Sequence, residues 1–420
     1  MYTRTTLPNG LRVLLGELPS ARSVSVCLFI GIGSRYEPDE LAGVSHFIEH
    51  MVFKGTGRWP EARLISEAIE STGGTLNAAT DRELTVYWAK VPAQHFRVAA
   101  EVIIDLVRNP LFPPAELEKE RQVILEELRM VNDTPQQLVD LLIDQVMWPN
   151  QPIGRDVAGT KESVSAMSLN QLVDFWARTY GPNNAVVAVA GRFNPEEVLD
   201  LLYTNLHDWE PADPPPFTPA TEPDSGPRVG GVYRRTEQAH FCLAAPGLAI
   251  TDPDRPTLDL LNVILGDGMS SRLFLELRER RGIVYDVHSY VEYLRDTGSE
   301  TIYAGVEPAR LPEALAAVVE QLGQLTVRVD EAELKRAQDL VKGRLELRLE
   351  DTRSYAGWLG TQELLTGKVM TVDEMMAEVD RVSPDDIVRL ARRLFRRDRL
   401  NLAVVGPIRR PERLATLLSL

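Results

Sequence analysis

The chain has 420 residues, of which 44% are apolar and 25% are charged, a composition typical of globular proteins. At about 100–200 residues per domain, this length predicts two to four domains. The 46 Lys and Arg residues against 61 Asp and Glu residues give a net charge of −15, which argues against nucleic-acid binding because phosphates need basic surfaces.

The hydrophobic pattern of the first half alternates irregularly between strand and helix periods. This irregularity favours an α+β fold over a doubly wound parallel sheet. Asp39 is a candidate N-cap for one of the helices. The predicted elements are a turn over residues 7–11, strands over 23–32 and 84–90, and helices over 39–53, 63–72, 94–108 and 113–132.

Two cysteines, Cys27 and Cys242, are too few for a disulfide framework, and we expect both to be buried in strands. The first residues lack the apolar core of a signal peptide. No apolar run approaches the roughly 20 residues that cross a bilayer. We therefore expect a cytoplasmic protein with no membrane partner.

The second half of the chain repeats landmarks of the first half. Ser168 and Ser383 each precede an amphipathic helix, and the strands that follow end at Gly191 and Gly406. Both pairs are 215 residues apart, so the spacing within each copy is identical. A proline-rich segment separates the copies. We predict an N-terminal domain over residues 1–210, a linker over 211–228 and a homologous C-terminal domain over 229–420.

The strongest chemical signal is the segment His46-Phe-Ile-Glu49-His50. On a helix, positions i and i+4 lie on one face, so His46 and His50 can offer two imidazoles to one metal ion. Glu49 flanks the same face, where a carboxylate can act as a general base toward a metal-bound water. With six histidines in the chain, this pattern is expected by chance only about 0.01 times.

A catalytic zinc usually takes a third protein ligand and leaves one position for water. The predicted helix over 113–132 is rich in carboxylates that could supply it. Glu120 and Glu127 are two turns apart on one face, whereas Glu126 points about 100° away. The spacing alone does not choose among these three residues, and a solvated acidic face would have the same pattern.

Three stretches of the sequence resemble the zinc metallopeptidases of family M16, the pitrilysin-type or inverzincin enzymes, which include the mitochondrial processing peptidase. The stretches are Gly43-Val-Ser-His46-Phe-Ile-Glu49-His50, Gly73-Gly74-Thr-Leu-Asn77-Ala78 and Glu120-Arg-Gln-Val-Ile-Leu-Glu-Glu127. The resemblance implies one Zn²⁺ per chain, held by His46, His50 and Glu127, with Glu120 outside the ligand shell. It also implies that Glu49 is the general base in peptide hydrolysis and that residues 1–210 form the metal-binding peptidase domain.

The resemblance extends to substrate binding. It implies that a strand containing Gly74, Leu76, Asn77 and Ala78 accepts an extended peptide as an additional strand. In the second half no His-x-x-Glu-His segment occurs, so that half is expected to hold no metal. There, Arg278 and Tyr285 match an arginine and a tyrosine that in the family reach the substrate from a metal-free half, although residue patterns alone favour an ordinary basic helix end.

The resemblance predicts a zinc-dependent endopeptidase that cleaves extended or unfolded peptides inside a clamshell-like chamber formed when two chains pair. Since the chain contains both the metal motif and the Arg278–Tyr285 pair, we expect a homodimer, with a heterodimer of related subunits as the alternative. Other interpretations stay open: a subunit inactive alone, a non-catalytic assembly partner, or a structural zinc site, although structural sites usually have four protein ligands. Manganese or cobalt would suit the same ligands.

Overall fold

The computed structural model of the chain describes residues 2–222 and 226–419. The described residues contain two separate, mostly antiparallel β-sheets that are packed with helices. The α+β prediction is therefore confirmed. None of the helices in these described ranges combines the length and the apolar composition that crossing a membrane requires.

The chain forms two compact units that are not contiguous in sequence. Unit 1 contains the chain up to Leu128 together with Asp156–Thr218 and Glu346–Thr371, and unit 2 contains Arg129–Arg155, Pro219–Leu345 and the chain from Val372 onward. The predicted ranges 1–210 and 229–420 therefore differ from the compact units at residues 129–155 and 346–371. As the limits of the two duplicated halves, those ranges stay a prediction.

Unit 1 is built on a six-stranded sheet with the strand order β1-β2-β6-β3-β5-β4. Its first two strands form a hairpin around the predicted turn, in which Gly10 has a φ of +92° that few other residues adopt. The strand bounds are β1 Tyr2–Thr6, β2 Arg12–Glu17, β3 Ser23–Ile30, β4 Thr75–Thr80, β5 Thr85–Pro92 and β6 Ala185–Gly191.

The helices of unit 1 cover both faces of this sheet. One face carries the larger apolar core, in which the side chains of Val26, Leu28, Phe47 and Ile103 are buried. The helices of unit 1 are α1 Val44–Val52, α2 Ala62–Glu70, α3 Phe96–Arg108, α4 Pro114–Asp133, α6 Lys161–Ala166, α7 Leu169–Thr179, α8 Pro195–Leu206 and α12 Thr352–Thr366, with the last residues of α4 belonging to unit 2. The second face packs against α12, which comes from the second half of the sequence.

Unit 2 is built on a five-stranded sheet with the strand order β7-β11-β8-β10-β9. Its bounds are β7 Arg228–Tyr233, β8 Ala239–Pro246, β9 Val284–Tyr293, β10 Gly298–Val306 and β11 Asn401–Gly406. When β2 to β6 of unit 1 are matched in chain order with β7 to β11, the two sheets have the same strand order, and β1 is an additional strand of unit 1. In each sheet one pair is parallel, β2 with β6 and β7 with β11. This shared topology supports the predicted duplication.

The helices of unit 2 also cover both sheet faces. They are α5 Pro135–Met147, α9 Arg255–Leu265, α10 Leu311–Leu325, α11 Glu331–Leu349, α13 Val372–Arg381 and α14 Pro384–Leu394, with the last residues of α11 belonging to unit 1. A π-helical segment, Phe274–Arg280, precedes β9. The helix α5, which comes from the first half of the sequence, packs against β8 and β11.

The proline-rich segment has neither helix nor strand at residues 211–222 and 226–227, and residues 223–225 of the predicted linker lie outside the described residues. Before Pro219 this segment belongs to unit 1, where the ring of Phe217 packs edge-on against Tyr36. The two cysteines are free and buried in β3 and β8, as predicted.

Candidate metal centre

The helix that carries the histidines begins later than predicted. The predicted start at Asp39 is wrong, because a separate 3₁₀ turn covers Asp39–Leu41 and α1 begins at Val44. Gly43 separates the two with a φ of +90°, which suits glycine. The carboxylate of Glu37 accepts hydrogen bonds from the backbone N–H groups of Gly43 and Ser45 at 2.7 and 2.8 Å and so caps the first turn.

The structure brings His46, His50 and Glu127 together. Glu127 Oε2 lies 3.8 Å from His46 Nε2 and 3.7 Å from His50 Nε2. One ligand atom from each residue lies within 4.8 Å of the other two. Ligands at 2.0–2.1 Å from a tetrahedral zinc ion are separated by about 3.3 Å, so a small inward movement would close these distances to coordination.

The helix α4 contributes two carboxylates to this region, as the shared-face spacing indicated. Glu120 Oε2 lies 3.1 Å from His50 Nδ1, on the side of the ring opposite Nε2. Its other oxygen accepts from Lys54 Nζ at 2.7 Å. Glu126 is exposed. When Glu120 accepts a hydrogen bond from Nδ1–H, the lone pair of His50 is on Nε2, facing Glu127.

Two observations test whether a divalent cation fits here. Glu127 Oε2 is buried yet has no hydrogen-bond partner among the described residues, which costs free energy unless another ligand is present. The ionised carboxylates of Glu49, Glu120 and Glu127 contribute −3, and Lys54 contributes +1. The resulting charge of −2 matches one divalent ion. The donor set of two imidazoles and a carboxylate suits zinc.

Glu49 is mostly buried beside the two histidines. Burial raises the pKa of its carboxyl group, and the hydrogen bond from Thr80 Oγ1 to Glu49 Oε2, 2.5 Å long, opposes that shift. A raised pKa makes the carboxylate a stronger base at neutral pH. His46 has the opposite response, because burial and then the neighbouring His50 lower its pKa to about 4. His46 is therefore neutral, and able to bind a metal, in mildly acidic solution.

The strand β4 lies at the edge of the sheet, so one side of its backbone has no neighbouring strand among the described residues. The backbone N–H of Asp81 donates to the carbonyl oxygen of Leu84. In an antiparallel pair, every second residue forms hydrogen bonds to the neighbouring strand. Counted from Asp81 in this register, the backbone groups of Leu76 and Ala78 point away from β5. The outward N–H of Ala78 donates to Oδ1 of Asn77 at 2.8 Å.

Backbone conformation and close packing explain the two glycines, Gly73 and Gly74, that precede β4. Gly73 has a φ of +75°. A side chain at Gly74 would meet Val91 Cγ1 at 2.6 Å, so this position packs closely against β5.

Arg278 and Tyr285 belong to unit 2 and lie near each other there. The guanidinium carbon of Arg278 lies 4.9 Å from the ring centroid of Phe274 and 5.9 Å from that of Tyr285. Tyr285 is 77% exposed. Arg278 lies on the π-helical segment, an irregularity that often occurs at functional sites.

Two residues that contact the predicted site were not singled out from the sequence. Lys54 follows His50 by four residues, and Thr80 continues the alternation of Leu76 and Ala78. Both spacings were visible in the sequence. The partners of Lys54 and Thr80 were not, because each contact joins residues more than 30 positions apart in the chain.

Two family models match the chain. The family described as insulinase, peptidase family M16, matches residues 12–161, and the peptidase M16 inactive domain matches residues 166–341. Together these matches cover most of the chain.

Two relatives match almost the whole chain. A Streptomyces coelicolor protein named as an uncharacterized zinc protease is 37% identical, with 97% of this chain and 90% of the relative covered. A Bacillus subtilis protein of the same description, YmxG, is 35% identical, with 97% and 98% covered. The crystal structure of a protease from Helicobacter pylori has the same fold, with a TM-score of 0.91, 23% identity and 97% and 99% coverage.

Proposed function

This chain belongs to peptidase family M16, and from that premise we propose that it is a zinc-dependent endopeptidase that hydrolyses extended or unfolded peptides. The single observation that carries the proposal is the buried Oε2 of Glu127, which lies within 4 Å of the Nε2 atoms of His46 and His50 and has no hydrogen-bond partner within residues 2–222 and 226–419. We propose that these three residues hold the zinc ion. When bound, zinc lowers the pKa of a water molecule and polarises the carbonyl group of the substrate.

Glu49 is proposed to be the general base. Its carboxylate accepts a proton from the attacking water, whose oxygen forms a bond to the carbonyl carbon of the peptide. The carbon–nitrogen bond then breaks, and Glu49 returns the proton to the leaving amine. Burial beside the histidines supports this role, because it raises the pKa of Glu49 toward the pH at which the enzyme would work.

The peptide is proposed to bind along β4. The outward backbone groups of Leu76 and Ala78 can pair with an extended peptide, which gives affinity without much sequence preference. Gly74 and Asn77 complete the proposed binding segment. The side chain of Asn77 occupies the N–H of Ala78 in the free chain, so an incoming carbonyl group would have to displace it. Edge strands are commonly protected in comparable ways against pairing with other chains.

The test is cleavage of an unstructured peptide by the purified chain, with zinc content measured on the same samples. Glu49→Gln should retain zinc and lose at least about 100-fold in kcat, the usual contribution of a general base. Glu127→Ala should lose zinc, whereas Glu126→Ala, which changes an exposed carboxylate on the same helix, should keep it. If the fully zinc-loaded wild-type chain cleaves nothing alone, the proposal of an autonomous peptidase is wrong and a subunit that needs a partner becomes the better interpretation.

A further inference from the structure

A side-chain hydrogen bond joins the proposed general base to the strand on which the peptide is proposed to bind. Thr80 ends β4, and its hydroxyl group donates to Glu49 Oε2 at 2.5 Å. We propose that Thr80 is a positioning residue, which holds the Glu49 carboxylate in the orientation needed for proton transfer. This inference rests on the proposed function.

The hydrogen bond accounts for the orientation of a carboxylate that otherwise has few constraints. Among the described residues, every hydrogen bond to the Glu49 carboxylate comes from Thr80: its hydroxyl group donates to Oε2, and its backbone N–H has a smaller effect. The hydroxyl group is therefore the only side-chain donor in this part of the chain that orients the carboxylate. His50 and Glu127 interact with Glu49 only through their charges, and such interactions do not fix the rotation of a carboxylate group. Positioning by a directed hydrogen bond is therefore the task left to Thr80.

The geometry of β4 places this hydroxyl on the correct side of the sheet. Side chains alternate along a strand, so Leu76, Ala78 and Thr80 share one face. That is the face on which α1 packs, since α1 contacts β4 and carries Glu49. Residues two apart on a strand are separated by about 6.8 Å along its axis. A peptide paired at Ala78 would therefore be held one step from the residue that holds the base.

Threonine is suited to this task for two reasons. Its hydroxyl group can donate a hydrogen bond to a carboxylate, and its branched Cβ restricts χ1 on a strand, so the position of the hydroxyl oxygen is largely fixed before substrate binds. Serine keeps the donor without the branch. Valine keeps the branch and the volume without the donor. These two replacements therefore separate hydrogen bonding from packing.

The experiment compares Thr80→Val, Thr80→Ala and Thr80→Ser with wild type in the peptide-cleavage assay. Thr80→Val and Thr80→Ala should each lower kcat by about 10- to 100-fold, since a hydrogen bond to a charged group is lost. KM and zinc content should stay within about twofold of wild type. Thr80→Ser should recover activity to within about threefold. The dissociation constant of the uncleaved peptide should be equal in Glu49→Gln and in the Glu49→Gln, Thr80→Val double variant.

Thr5→Val provides a matched control. Thr5 lies on β1, the opposite edge strand of the same sheet, and is exposed. This variant should behave as wild type.

Several results would overturn the inference. Equal losses in Thr80→Ser and Thr80→Val, a change confined to KM, or loss of zinc would give Thr80 a structural role only. Full activity in Thr80→Val would mean that Glu49 is held in another way. If Thr80→Val does not fold, the comparison of Thr80→Ala with Thr80→Ser decides. Inactivity of wild type and Thr5→Val at full zinc occupancy would instead reject the proposed function, so the two failures are distinguishable.

Discussion

The carboxylate of Glu120 is held between a cation and an imidazole. Lys54 contacts one oxygen and His50 Nδ1 contacts the other, so Glu120 fixes which nitrogen of His50 carries the proton. The seven-residue spacing predicted that Glu120 and Glu127 share a face of α4, but it could not say which of the two approaches Nε2. That difference depends on where α4 crosses α1, a property of packing rather than of either helix.

Glu300, in unit 2, is a buried acid that the proposed reaction does not use. It lies on β10 with 1% of its surface exposed, and neither carboxylate oxygen has a hydrogen-bond partner in the described part of the chain. Burial, followed by the charges of Asp259 and Asp267, raises the pKa of Glu300 well above its ordinary value. The folded state therefore keeps this group protonated at pH values where the unfolded chain releases the proton.

We expect Glu300→Gln to stabilise the protein at pH 8 and to leave it unchanged at pH 4. Below the ordinary pKa of 4.5, Glu300 is neutral in both the folded and the unfolded protein. As the pH rises above 4.5, wild type loses stability because only the unfolded chain releases the proton. A glutamine side chain does not titrate, so the variant does not lose this stability. The measurement is the thermal midpoint relative to wild type, with a gain of at least about 2 °C at pH 8. Glu237→Gln, at an exposed position, is the control. A gain of equal size at pH 4 would contradict the prediction.

At the scale of elements, the paired helix–strand units were the most predictable parts of the fold. Ser168 and Ser383 each form a capping box at the start of α7 and α14. Their side chains accept from the third backbone N–H of the helix, so the helix start depends on neighbouring residues only. The strands that follow end at Gly191 and Gly406, as predicted. Local signals sufficed here because the interactions themselves are local.

The helix α12 was not predictable in the same way, because the receiving sheet lies in the other half of the sequence. Its buried face contacts β3 and β6 of unit 1. Gly360 makes close contact possible, since an added Cβ would overlap the ring of Phe29 on β3. Gly343, within α11, has open space where a Cβ would lie.

These two glycines predict opposite effects of one substitution. Gly360→Ala should destabilise the protein by about 1–3 kcal/mol, because α12 must move away from the sheet. Gly343→Ala should stabilise it by up to about 1 kcal/mol, because alanine favours a helix more than glycine. Thermal and urea unfolding of both variants measure the difference. A neutral or stabilising Gly360→Ala would show that α12 does not pack tightly against Phe29.

At the scale of the whole molecule, the resemblance implies that two chains pair, and we propose that Arg278 and Tyr285 of one chain complete the zinc site of its partner. Tyr285 is exposed and carries a phenol that could donate to a developing oxyanion. Arg278 could hold a carbonyl group or a chain end of the peptide. Each chain contributes both sets of residues, so a homodimer would contain two complete sites.

Mixing two inactive variants tests this proposal. Chains with Glu49→Gln and chains with Tyr285→Phe should each be nearly inactive alone, whereas their coexpression should restore about a quarter of wild-type activity. Half of the dimers would be mixed, and each of those would have one intact site out of two. The expected mass is 94 kDa, twice 47.0 kDa. A monomer, or a mixture as inactive as its components, would contradict shared sites.

The sequence by itself determined the α+β class, the duplication, the capped helices and the pairing of two histidines on one helix, because each depends on residues within a few turns of one another. Only the tertiary structure decided that Glu127 approaches both Nε2 atoms, that the hydroxyl group of Thr80 donates to Glu49, and that α5 and α12 each pack with the other half of the sequence. These contacts join residues far apart in the chain. Their geometry is set by how helices pack against sheets, which no local pattern specifies.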